Sequence, residues 1–527
     1  MRISGVILAA VVIFGAEPPA AAALGRARLV REIVPGPGSS EPELLGVVNG
    51  RLLFFATDTA HGRELWRSDG TPDGTQLVRD IRPGPLSGIS YGGWTLFAGR
   101  LAFSASDGRG GAQLWTSDGT EAGTVVVRDV APGIANAMVR LPTPDGDRLW
   151  FTAQINFYAE DLEETEQGTE DLWVSDLTNA GTRLVATVGF WEPGFSGGAF
   201  AVSSLAPFNG AMLVARRDAF ECCESVHLNR VDAAGTTTHL YSENMSGHSD
   251  YLPPIEPLVA SQTAYFPTRQ FDTGTCALWR TDGVAIESID DGTACWIPLG
   301  TVGNDLLLAT SGHPVELARA TATNASLVPV ANLGDGYLRS QPIATAARLY
   351  FSVGRSDADE LWRTDSAVDP PSLIRRFPRV DLGGRHLGQL MRAPEDAVTF
   401  WTTDDQGRDG VLWKSDGTAD ATRPLAALPA GVSGAGVVEG GSLTFFAAYD
   451  SEHGGEVWGI DRAPDCAGDC NANHAVDVAE VLTAVDIALG GSRLDACPAA
   501  DTDADLRVSI DELLDSVQIV LAGCAEP

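Results

Sequence analysis

The sequence predicts a mainly β protein: a β-propeller of eight or nine four-stranded blades closed by the N-terminal strand, followed by a small α-helical domain. Three observations predict this architecture. A repeat runs through most of the 527 residues, each repeat unit shows strand-like alternation, and two amphipathic segments lie near the C-terminal end. A chain of this length is too long for one ordinary core, but it suits a closed array of repeats with one small added domain.

The repeat is clearest in its first two copies. The segment FFATDTAHGRELWRSDGTPDGTQLVRDI at 54–81 returns as FSASDGRGGAQLWTSDGTEAGTVVVRDV at 103–130. Each well-kept copy carries one tryptophan, and these are Trp66, Trp115, Trp173, Trp279, Trp362, Trp413 and Trp458. Asn229 and Ala318 stand at the matching positions of two degenerate copies. The units predict nine blades, or eight if one degenerate unit is an insertion.

Each unit divides into four short strands rich in β-branched and aromatic residues, with Gly, Asn and Asp at the joints. A repeat of about 45 residues with four strands is typical of a propeller blade. The last unit lacks its fourth strand, and ARLVREIVPG at 27–36 matches the fourth strand TQLVRDIRPG at 75–84. We therefore expect the N-terminal strand to complete the last blade of a propeller that spans 27–462, which leaves no open edge.

The recurring residues of the repeat are predicted to be structural. The SDGTxxGT segments at 68–75 and 117–124 have the composition of tight hairpin turns, which we favour over a metal or sugar contact at each turn. One tryptophan per blade indicates packing between neighbouring sheets rather than ligand stacking. His61 and His453 occupy equivalent loop positions, so we interpret them as loop residues rather than as general bases.

The composition excludes one class of partner. The chain has 36 Lys and Arg residues against 70 Asp and Glu residues, which gives a net charge of -34. This charge repels the phosphate backbone of nucleic acids and attracts cations. Nucleic acid is therefore not expected as a partner.

The N-terminal end is predicted to be a signal peptide at 1–23. An early Arg2 precedes an apolar run, and small residues near Ala22 and Ala23 offer cleavage sites. The apolar run is too short for a membrane anchor, and no later segment is apolar for long enough to span a bilayer. We expect a secreted, extracellular or cell-surface protein that is a monomer, with no membrane span in the mature chain.

Eight cysteines are compatible with disulfides in an exported protein. Cys276 and Cys295 flank one hairpin-sized stretch and are candidates for one disulfide. The adjacent Cys222 and Cys223 form either a strained vicinal disulfide or two separate pairs. Four more lie near the C-terminal end, where all three pairings stay open: Cys466, Cys470, Cys497 and Cys524.

Two twelve-residue segments near the C-terminal end place oxygen donors at the spacing of an EF-hand calcium loop. The candidate ligands of the first are Asp469, Asn471, Asn473, Asp477 and Glu480, with the Ala475 carbonyl. Those of the second are Asp501, Asp503, Asp505, Ser509 and Glu512, with the Arg507 carbonyl. Two matches in tandem predict Ca²⁺ binding. His474 and Leu506 replace the glycine of strong loops, so the alternative is a degenerate calcium fold held by disulfides alone.

An amphipathic helix is predicted after each loop. The first has an apolar face of Val478, Val481, Leu482, Val485 and Leu489. The second has a matching face of Ile510, Leu513, Leu514, Val517 and Leu521. Gly490 and Gly523 are expected to end the two helices.

These motifs resemble two known families. The repeat is similar to bacterial ELWxxDGT-repeat proteins, which implies an extracellular array without a defined activity. Residues 463–527 resemble a dockerin type I domain in their duplicated loop and exit helix. That resemblance implies calcium binding and docking to a cohesin-like protein or a cell-surface partner. Glu480 and Glu512 depart from the aspartate usual at the last loop position of dockerins.

Two functions compete at this point. The first is a binding or scaffold protein whose propeller presents loops to a carbohydrate or a protein while the C-terminal module docks. The alternative is a secreted polysaccharide hydrolase or lyase, since dockerin-like modules are often carried by such enzymes. The predicted innermost strands contain few acids, among them Glu256 and Glu439, and no spacing makes these a catalytic pair. We therefore favour the binding protein.

Overall fold

A computed structural model of the chain describes 25–132, 134, 137–155, 168–191, 199–219, 223–246, 256–269, 276–289, 294–310, 313–321, 326–379, 386–404, 410–419, 421–428, 432–440, 443–461, 468, 470, 476–491, 497, 500 and 508–522. The predicted signal peptide at 1–23 lies outside these residues. The chain divides into two compact units, Arg26–Asp461 and a second formed by Met1–Gly25 with Arg462–Pro527. None of the described helices has the length and apolar character needed to cross a membrane.

The unit Arg26–Asp461 consists of nine blades. Six are separate four-stranded sheets, the seventh has five strands, and the last two are joined in one eight-stranded sheet. Blade 1 contains β2 (Glu43–Val48), β3 (Arg51–Asp58), β4 (Gly62–Ser68) and β5 (Gln76–Arg79). Blade 2 contains β6 (Ile89–Phe97), β7 (Arg100–Ala105), β8 (Gln113–Ser117) and β9 (Val125–Arg128). Blade 3 contains β10 (Ala137–Asp145), β11 (Arg148–Ile155), β12 (Gly168–Ser175) and β13 (Arg183–Trp191). Blade 4 contains β14 (Ala199–Phe208), β15 (Ala211–Ala219), β16 (Cys223–Asp232) and β17 (Thr237–Ser246). Blade 5 contains β18 (Leu258–Ala260), β19 (Thr263–Arg269), β20 (Cys276–Thr281) and β21 (Ile286–Ser288). Blade 6 contains β22 (Trp296–Val302), β23 (Asp305–Thr310), β24 (Glu316–Ala320) and β25 (Val328–Asn332).

The last three blades complete the array. Blade 7 begins with two short pieces, β26 (Tyr337–Leu338) and β27 (Ile343–Ala344), and continues with β28 (Leu349–Gly354), β29 (Ala358–Thr364) and β30 (Ser372–Pro378). Blade 8 contains β31 (His386–Arg392), β32 (Val398–Thr403), β33 (Val411–Ser415) and β34 (Arg423–Ala427). Blade 9 contains β35 (Ser433–Gly440), β36 (Leu443–Asp450), β37 (Gly454–Asp461) and β1 (Gly25–Arg31). The propeller prediction is confirmed, and its blade number is nine.

The ring is closed by the N-terminal strand, as the sequence predicts. Strand β1 pairs antiparallel with β37, with Ala27 opposite Ile460 and Leu29 opposite Trp458. Val30 is buried in a cluster with residues of blades 1 and 9. The two chain ends of the array are therefore fastened in one sheet, which removes an open strand edge.

The repeat tryptophan, or the residue that replaces it, holds an equivalent position in each blade. Trp66 pairs with Phe54 and Trp115 pairs with Phe103, so the third strand is matched to the second. Asn229 and Ala318 pair with the corresponding residues of blades 4 and 6. Trp115 packs in one cluster with Leu53 of the preceding blade. The predicted role in packing neighbouring sheets is confirmed.

The first strand of each blade is the innermost. Strand β2 contacts both β35 and β6, and contacts between first strands continue through β10, β14, β18, β22, β27 and β31. These first strands therefore form the central part of the ring.

The unit that contains Arg462–Pro527 has two helices, α1 (Val478–Ala488) and α2 (Ile510–Ala522), where the sequence predicts them. A disulfide joins Cys470 to Cys497, which selects one of the pairings that the sequence left open. A second disulfide, in the propeller, joins Cys276 to Cys295 as predicted. Cys222, Cys466 and Cys524 lie outside the described residues.

Candidate functional site

The SDGTxxGT segments form closed turns. In blade 1, Asp69 Oδ1 accepts hydrogen bonds from the backbone N–H of Thr71 at 3.0 Å and from its hydroxyl at 2.7 Å. The hydroxyls of Ser68 and Thr75 lie 2.7 Å apart. The Asp69 contacts recur at Asp118, Asp176 and Asp416. Hydrogen bonds from threonine lower the pKa of Asp69. Because these polar groups bond within the turn, the turn interpretation is supported over a ligand contact.

The glutamate of the ELW sequence anchors the loop that follows the fourth strand. Glu64 is fully buried, and its carboxyl oxygens accept hydrogen bonds from the backbone N–H of Ile81 at 3.2 Å and of Arg82 at 3.1 Å. Glu456 is also buried and accepts two backbone N–H groups from the residues after β1. Burial raises the pKa of Glu64 and of Glu456 to about 7. Both carboxyls are inaccessible to a substrate, so these raised pKa values belong to structural groups.

An arginine of the fourth strand joins each regular blade to the next. Arg79 lies over the Trp115 ring, 5.6 Å from its centroid, and donates to the Thr124 carbonyl at 2.7 Å. The same bond to the end of the following turn is made by Arg31 at 2.5 Å, Arg128 at 2.9 Å and Arg375 at 3.0 Å. The sequence analysis missed this role, although the recurring arginine of the LVRD segments was its signal.

The loop histidines are held by their own loops. His61 Nδ1 lies 2.8 Å from Asp58 Oδ2, and His453 Nδ1 lies 3.0 Å from Asp450 Oδ2. The hydrogen bond to the neighbouring aspartate raises the pKa of both histidines. The repeated geometry agrees with the structural interpretation of His61 and His453.

One cluster in blade 4 contains serine, histidine and aspartate but lacks relay geometry. His227 Nε2 lies 3.1 Å from Ser225 Oγ and 3.0 Å from Asp218 Oδ2. Both contacts use the same ring nitrogen, whereas a catalytic triad needs the serine and the carboxylate on opposite nitrogens. Asp218 is also paired with Arg216 at 2.7 Å. This cluster therefore does not activate Ser225 as a nucleophile.

The two acids named in the predicted innermost strands, Glu256 and Glu439, lie in different environments. The Glu439 carboxyl lies 2.9 Å from the Nζ of Lys414, the only lysine in the chain. Glu256 is exposed just before β18. Glu439 is therefore paired with a cation, and Glu256 faces solvent.

A pocket of about 630 Å³ lies between the innermost segments of blades 7 and 8. Blade 7 contributes Tyr337, Arg339, Ser340 and Gln341, and blade 8 contributes Leu387, Gly388 and Gln389. Most of these side chains carry hydrogen-bonding groups. The pocket is therefore polar, and it is built from the one blade whose first strand is divided into two short pieces.

The pocket wall is fixed by one buried carboxylate. Asp359 on β29 is fully buried and lies 2.8 Å from the Nε of Arg339 and 2.6 Å from a terminal nitrogen of Arg379. Its Oδ2 also accepts the backbone N–H of Leu387 at 2.9 Å. His386 Nδ1 lies 3.6 Å away. Asp359 thus ties both arginines and the first strand of blade 8 together.

Tyr337 presents its ring at the edge of the pocket. Its hydroxyl accepts a hydrogen bond from Arg339 at 2.9 Å, and its side chain is 38% exposed. Tyr337 pairs with Gly354 on β28, where an added Cβ would lie 2.6 Å from Tyr337 Cζ. The glycine lets the ring lie flat on the strand, so an exposed aromatic surface is held in place.

The sequence analysis did not find this pocket. Its residues are 50 positions apart in the chain and meet only because blades 7 and 8 are neighbours. The available signal was charge: residues 337–392 contain nine arginines and six acids in a chain of net charge -34. A second cleft of about 390 Å³ lies at blade 2, around Arg109 and Trp115, with Arg79 contributed by the last strand of blade 1.

Only part of the predicted calcium loops can be placed. Asp477, Glu480, Ser509 and Glu512 are described. The other predicted ligands lie outside the described residues: Asp469, Asn471, Asn473, Ala475, Asp501, Asp503, Asp505 and Arg507. Within the described part of the chain, no group of three or more His, Cys, Asp or Glu side chains could hold a metal ion.

The last residue of each predicted loop is held at the start of a helix. Asp477 Oδ1 accepts the N–H of Glu480 at 2.9 Å, and Glu480 Oε2 accepts the N–H of Asp477 at 2.9 Å. Ser509 and Glu512 make the equivalent pair at 3.3 and 2.7 Å. Both glutamates are buried. These capping boxes hold two acids at the first turn of each helix, and the other Glu480 oxygen, Oε1, accepts the backbone N–H of Cys470 at 2.9 Å.

Part of each predicted apolar helix face is exposed, whereas Val481, Val485 and Leu513 are half-buried. Val478, Leu482 and Leu489 are 65%, 62% and 81% exposed on α1. On α2, Ile510 and Leu514 are exposed at the positions that match Val478 and Leu482, and Val517 is also exposed. The buried side of α1 consists instead of Glu480 and Ala484. The two helices therefore present matching apolar surfaces.

Comparison with known proteins gives no family. No protein-family pattern matches the chain. No curated protein matches it either.

Solved structures are distantly similar. A puromycin hydrolase has a TM-score of 0.36 at 13% identity, covering 73% of this chain and 62% of that chain. The β-propeller domain of the Trilobed protease from Pyrococcus furiosus has a TM-score of 0.35 at 10% identity, covering 73% and 98%. Porphyromonas gingivalis dipeptidyl peptidase 4 has a TM-score of 0.39 at 10% identity, covering 80% and 60%. The chain spans about three fifths of the length of the puromycin hydrolases. Likeness of this degree carries no information about activity.

Proposed function

We propose that the chain is a secreted or cell-surface binding protein whose propeller holds a carbohydrate in the pocket between blades 7 and 8. The observation that carries this proposal is the convergence of Tyr337, Arg339, Gln341 and Gln389 on one cavity. Exposed aromatic rings and planar hydrogen-bonding groups are the contacts that polar ligands with hydroxyl groups require. The recurring residues of the repeat bond within the framework, whereas the residues of this pocket are particular to blades 7 and 8.

The experiment measures retention of the full mature chain on a panel of immobilised glycans. Tyr337→Ala removes the exposed ring and is expected to weaken retention about tenfold, as loss of one anchoring aromatic does. Tyr91→Ala is the matched control, since Tyr91 is 99% exposed on the innermost strand β6 but lies outside the pocket. Equal weakening by both variants, or release of reducing ends from any glycan, would contradict the proposal; release would favour the hydrolase or lyase.

The C-terminal helical unit is proposed to bind Ca²⁺ through the twelve predicted ligands. Two equivalent capping boxes and the Cys470 to Cys497 disulfide support this assignment. With a dissociation constant of about 0.1 mM, about 1 mM calcium would stabilise the unit by roughly 1.4 kcal/mol. The resemblance of the repeats to ELWxxDGT-repeat proteins and of this unit to a dockerin supports an extracellular setting.

Calorimetric titration of the full chain with calcium tests the metal proposal. The double variant Glu480→Gln with Glu512→Gln keeps a capping side chain but removes two charges, so we expect it to abolish the calcium heat. Asp486→Asn, an exposed change on α1 outside the loops, should leave the heat unchanged. A wild-type chain that shows neither heat nor a chelator effect on its melting temperature would refute calcium binding.

Docking is proposed to use the exposed apolar faces of α1 and α2. Exposed apolar patches on a soluble unit mark interaction surfaces, and the occupant that we propose is a cohesin-like protein. Leu482→Asp with Leu514→Asp should abolish capture of a cohesin-like partner without changing calcium heat. Capture that persists in this variant would contradict the assignment of the surface.

A further inference from the structure

We infer that the ligand of the pocket between blades 7 and 8 is an acidic saccharide, a glycan that carries a uronic acid carboxylate. This inference rests on the proposed carbohydrate-binding function and adds the charge of the ligand. It starts from the ion pairs behind the pocket wall. The described network of blade 7 joins four arginines to three acids: Arg339, Arg355, Arg376 and Arg379 with Asp357, Asp359 and Glu360.

The surplus positive charge lies beside the cavity. Arg355 is paired with Glu360 at 2.8 Å, and Arg376 with Asp357 at 2.7 Å. Two arginines then share the single carboxylate of Asp359. One of these two, Arg339, lines the pocket. A single anionic group on the ligand would balance this surplus, in a chain that elsewhere repels anions through its net charge of -34.

The arginine of the wall is already oriented. Arg339 donates from Nε to the Leu387 carbonyl at 3.0 Å and from a terminal nitrogen to the Tyr337 hydroxyl at 2.9 Å. Burial opposes the charge of Arg379, but hydrogen bonds to Asp359 and Tyr337 raise its pKa, so it stays cationic. Because its hydrogen bonds already orient the Arg339 guanidinium, it loses little conformational entropy when it binds a carboxylate.

The rest of the wall favours a sugar over a peptide. Gln341, Gln389 and Ser340 offer donors and acceptors for hydroxyl groups, and the Tyr337 ring offers an apolar face. An acidic peptide would bind best along a regular strand edge. Strand β26 has only two residues, and β31 has an irregular register between Leu387 and Leu390. Neither offers a run of backbone groups to an added strand.

The experiment measures binding of the full mature chain to trisaccharides of galacturonic, glucuronic and mannuronic acid, and to the methyl ester of each. The ester keeps the shape of the sugar and removes its charge. At least one acid form should bind about tenfold more tightly than its ester, because a charge-assisted hydrogen bond is lost. Affinity for that acid should also fall as salt concentration rises.

Three variants locate the effect. Arg339→Gln should lower affinity for the acid about tenfold, to the level of the ester, while Arg339→Lys should retain most of it. Arg363→Gln removes an arginine of the same blade that pairs with Asp365, outside this network and outside the pocket lining, and should bind as the wild type does. Circular dichroism and melting temperature establish that each variant is folded; the comparison of acid with ester on the wild type needs no variant.

The outcomes separate this inference from the proposed function. Equal binding of acid and ester overturns the acidic ligand and leaves carbohydrate binding standing. Binding of an oligoglutamate peptide without binding of any saccharide overturns both. Failure of every saccharide and of the peptide to bind also overturns both.

Discussion

Blades 1 and 7 are built on the same four-stranded frame but use their charged residues differently. In blade 1, Glu64 accepts backbone N–H groups of the loop after β5, and Arg79 donates to the turn of blade 2. In blade 7, Glu360 stands at the equivalent position but pairs with Arg355 at 2.8 Å. Asp359, the residue before it, anchors the next blade instead.

This difference distinguishes the residues that join neighbouring blades from those that line the pocket between blades 7 and 8. Arg375 of blade 7 still lies 4.8 Å from the Trp413 centroid and bonds the next turn, so the joint between blades is kept. The additional arginines of blade 7 are therefore not needed for that joint. Residues that recur around the ring join its blades, and residues particular to blades 7 and 8 line the pocket.

The largest effect is expected from breaking the framework. Trp115 is 6% exposed in the core between blades 1 and 2, so Trp115→Ala should lower the free energy of unfolding by about 3–5 kcal/mol. Tyr337→Ala should cost less than about 1 kcal/mol, because its ring lies at the surface. Denaturant unfolding of both variants measures this contrast. Similar losses would show that Tyr337 is a structural residue.

A pH effect of intermediate size should belong to the framework. Burial raises the pKa of Glu64 and of Glu456 to about 7 from 4.5, so each folded carboxyl binds its proton more tightly than the unfolded one. The stabilisation that each protonated carboxyl gives to the folded state is fully present below about pH 4.5. It is lost as the pH rises through about 7, which lowers the free energy of unfolding by up to about 3 kcal/mol per group.

Unfolding of Glu64→Gln across pH 4.5 to 8 tests this pH effect. The variant should lack the Glu64 part of the decline in stability. Blade 2 provides a natural precedent, because Gln113 accepts the N–H of Val130 at 2.9 Å at the equivalent position. An identical pH profile for wild type and variant would show that Glu64 does not titrate in this range.

The smallest effect distinguishes two kinds of arginine. Arg79→Gln removes a hydrogen bond to the next blade and a contact with the Trp115 ring, which should cost about 1–2 kcal/mol. Arg376→Gln removes an exposed ion pair with Asp357 and should change stability by less than about 0.5 kcal/mol. If both substitutions cost the same, the joint between blades does not depend on the arginine.

The framework could be predicted from sequence because its information repeats. The position of Trp66 in one unit locates Trp115 in the next, and the missing fourth strand of the last unit is supplied by 27–36. The blade number stayed open between eight and nine because Asn229 and Ala318 replace the tryptophan. Their strand pairing alone shows that both units are blades.

The pocket could not be predicted in the same way. Arg339 and Arg379 meet at Asp359 through the order of strands in one sheet, and Leu387 joins them from the following blade. No spacing between motifs in the sequence predicts that these residues lie together. Likewise, helical periodicity placed Leu482 and Leu514 on apolar faces, but it could not say that the folded unit leaves them exposed.

The most direct measurement is hydrogen–deuterium exchange of the full chain with and without the glycan that it retains best. If residues particular to blades 7 and 8 form the site, protection on binding should be confined to 337–341 and 386–389. The turns at 68–75 and 117–124 should exchange at unchanged rates. Protection at the repeated turns, with none at 337–341, would contradict the account.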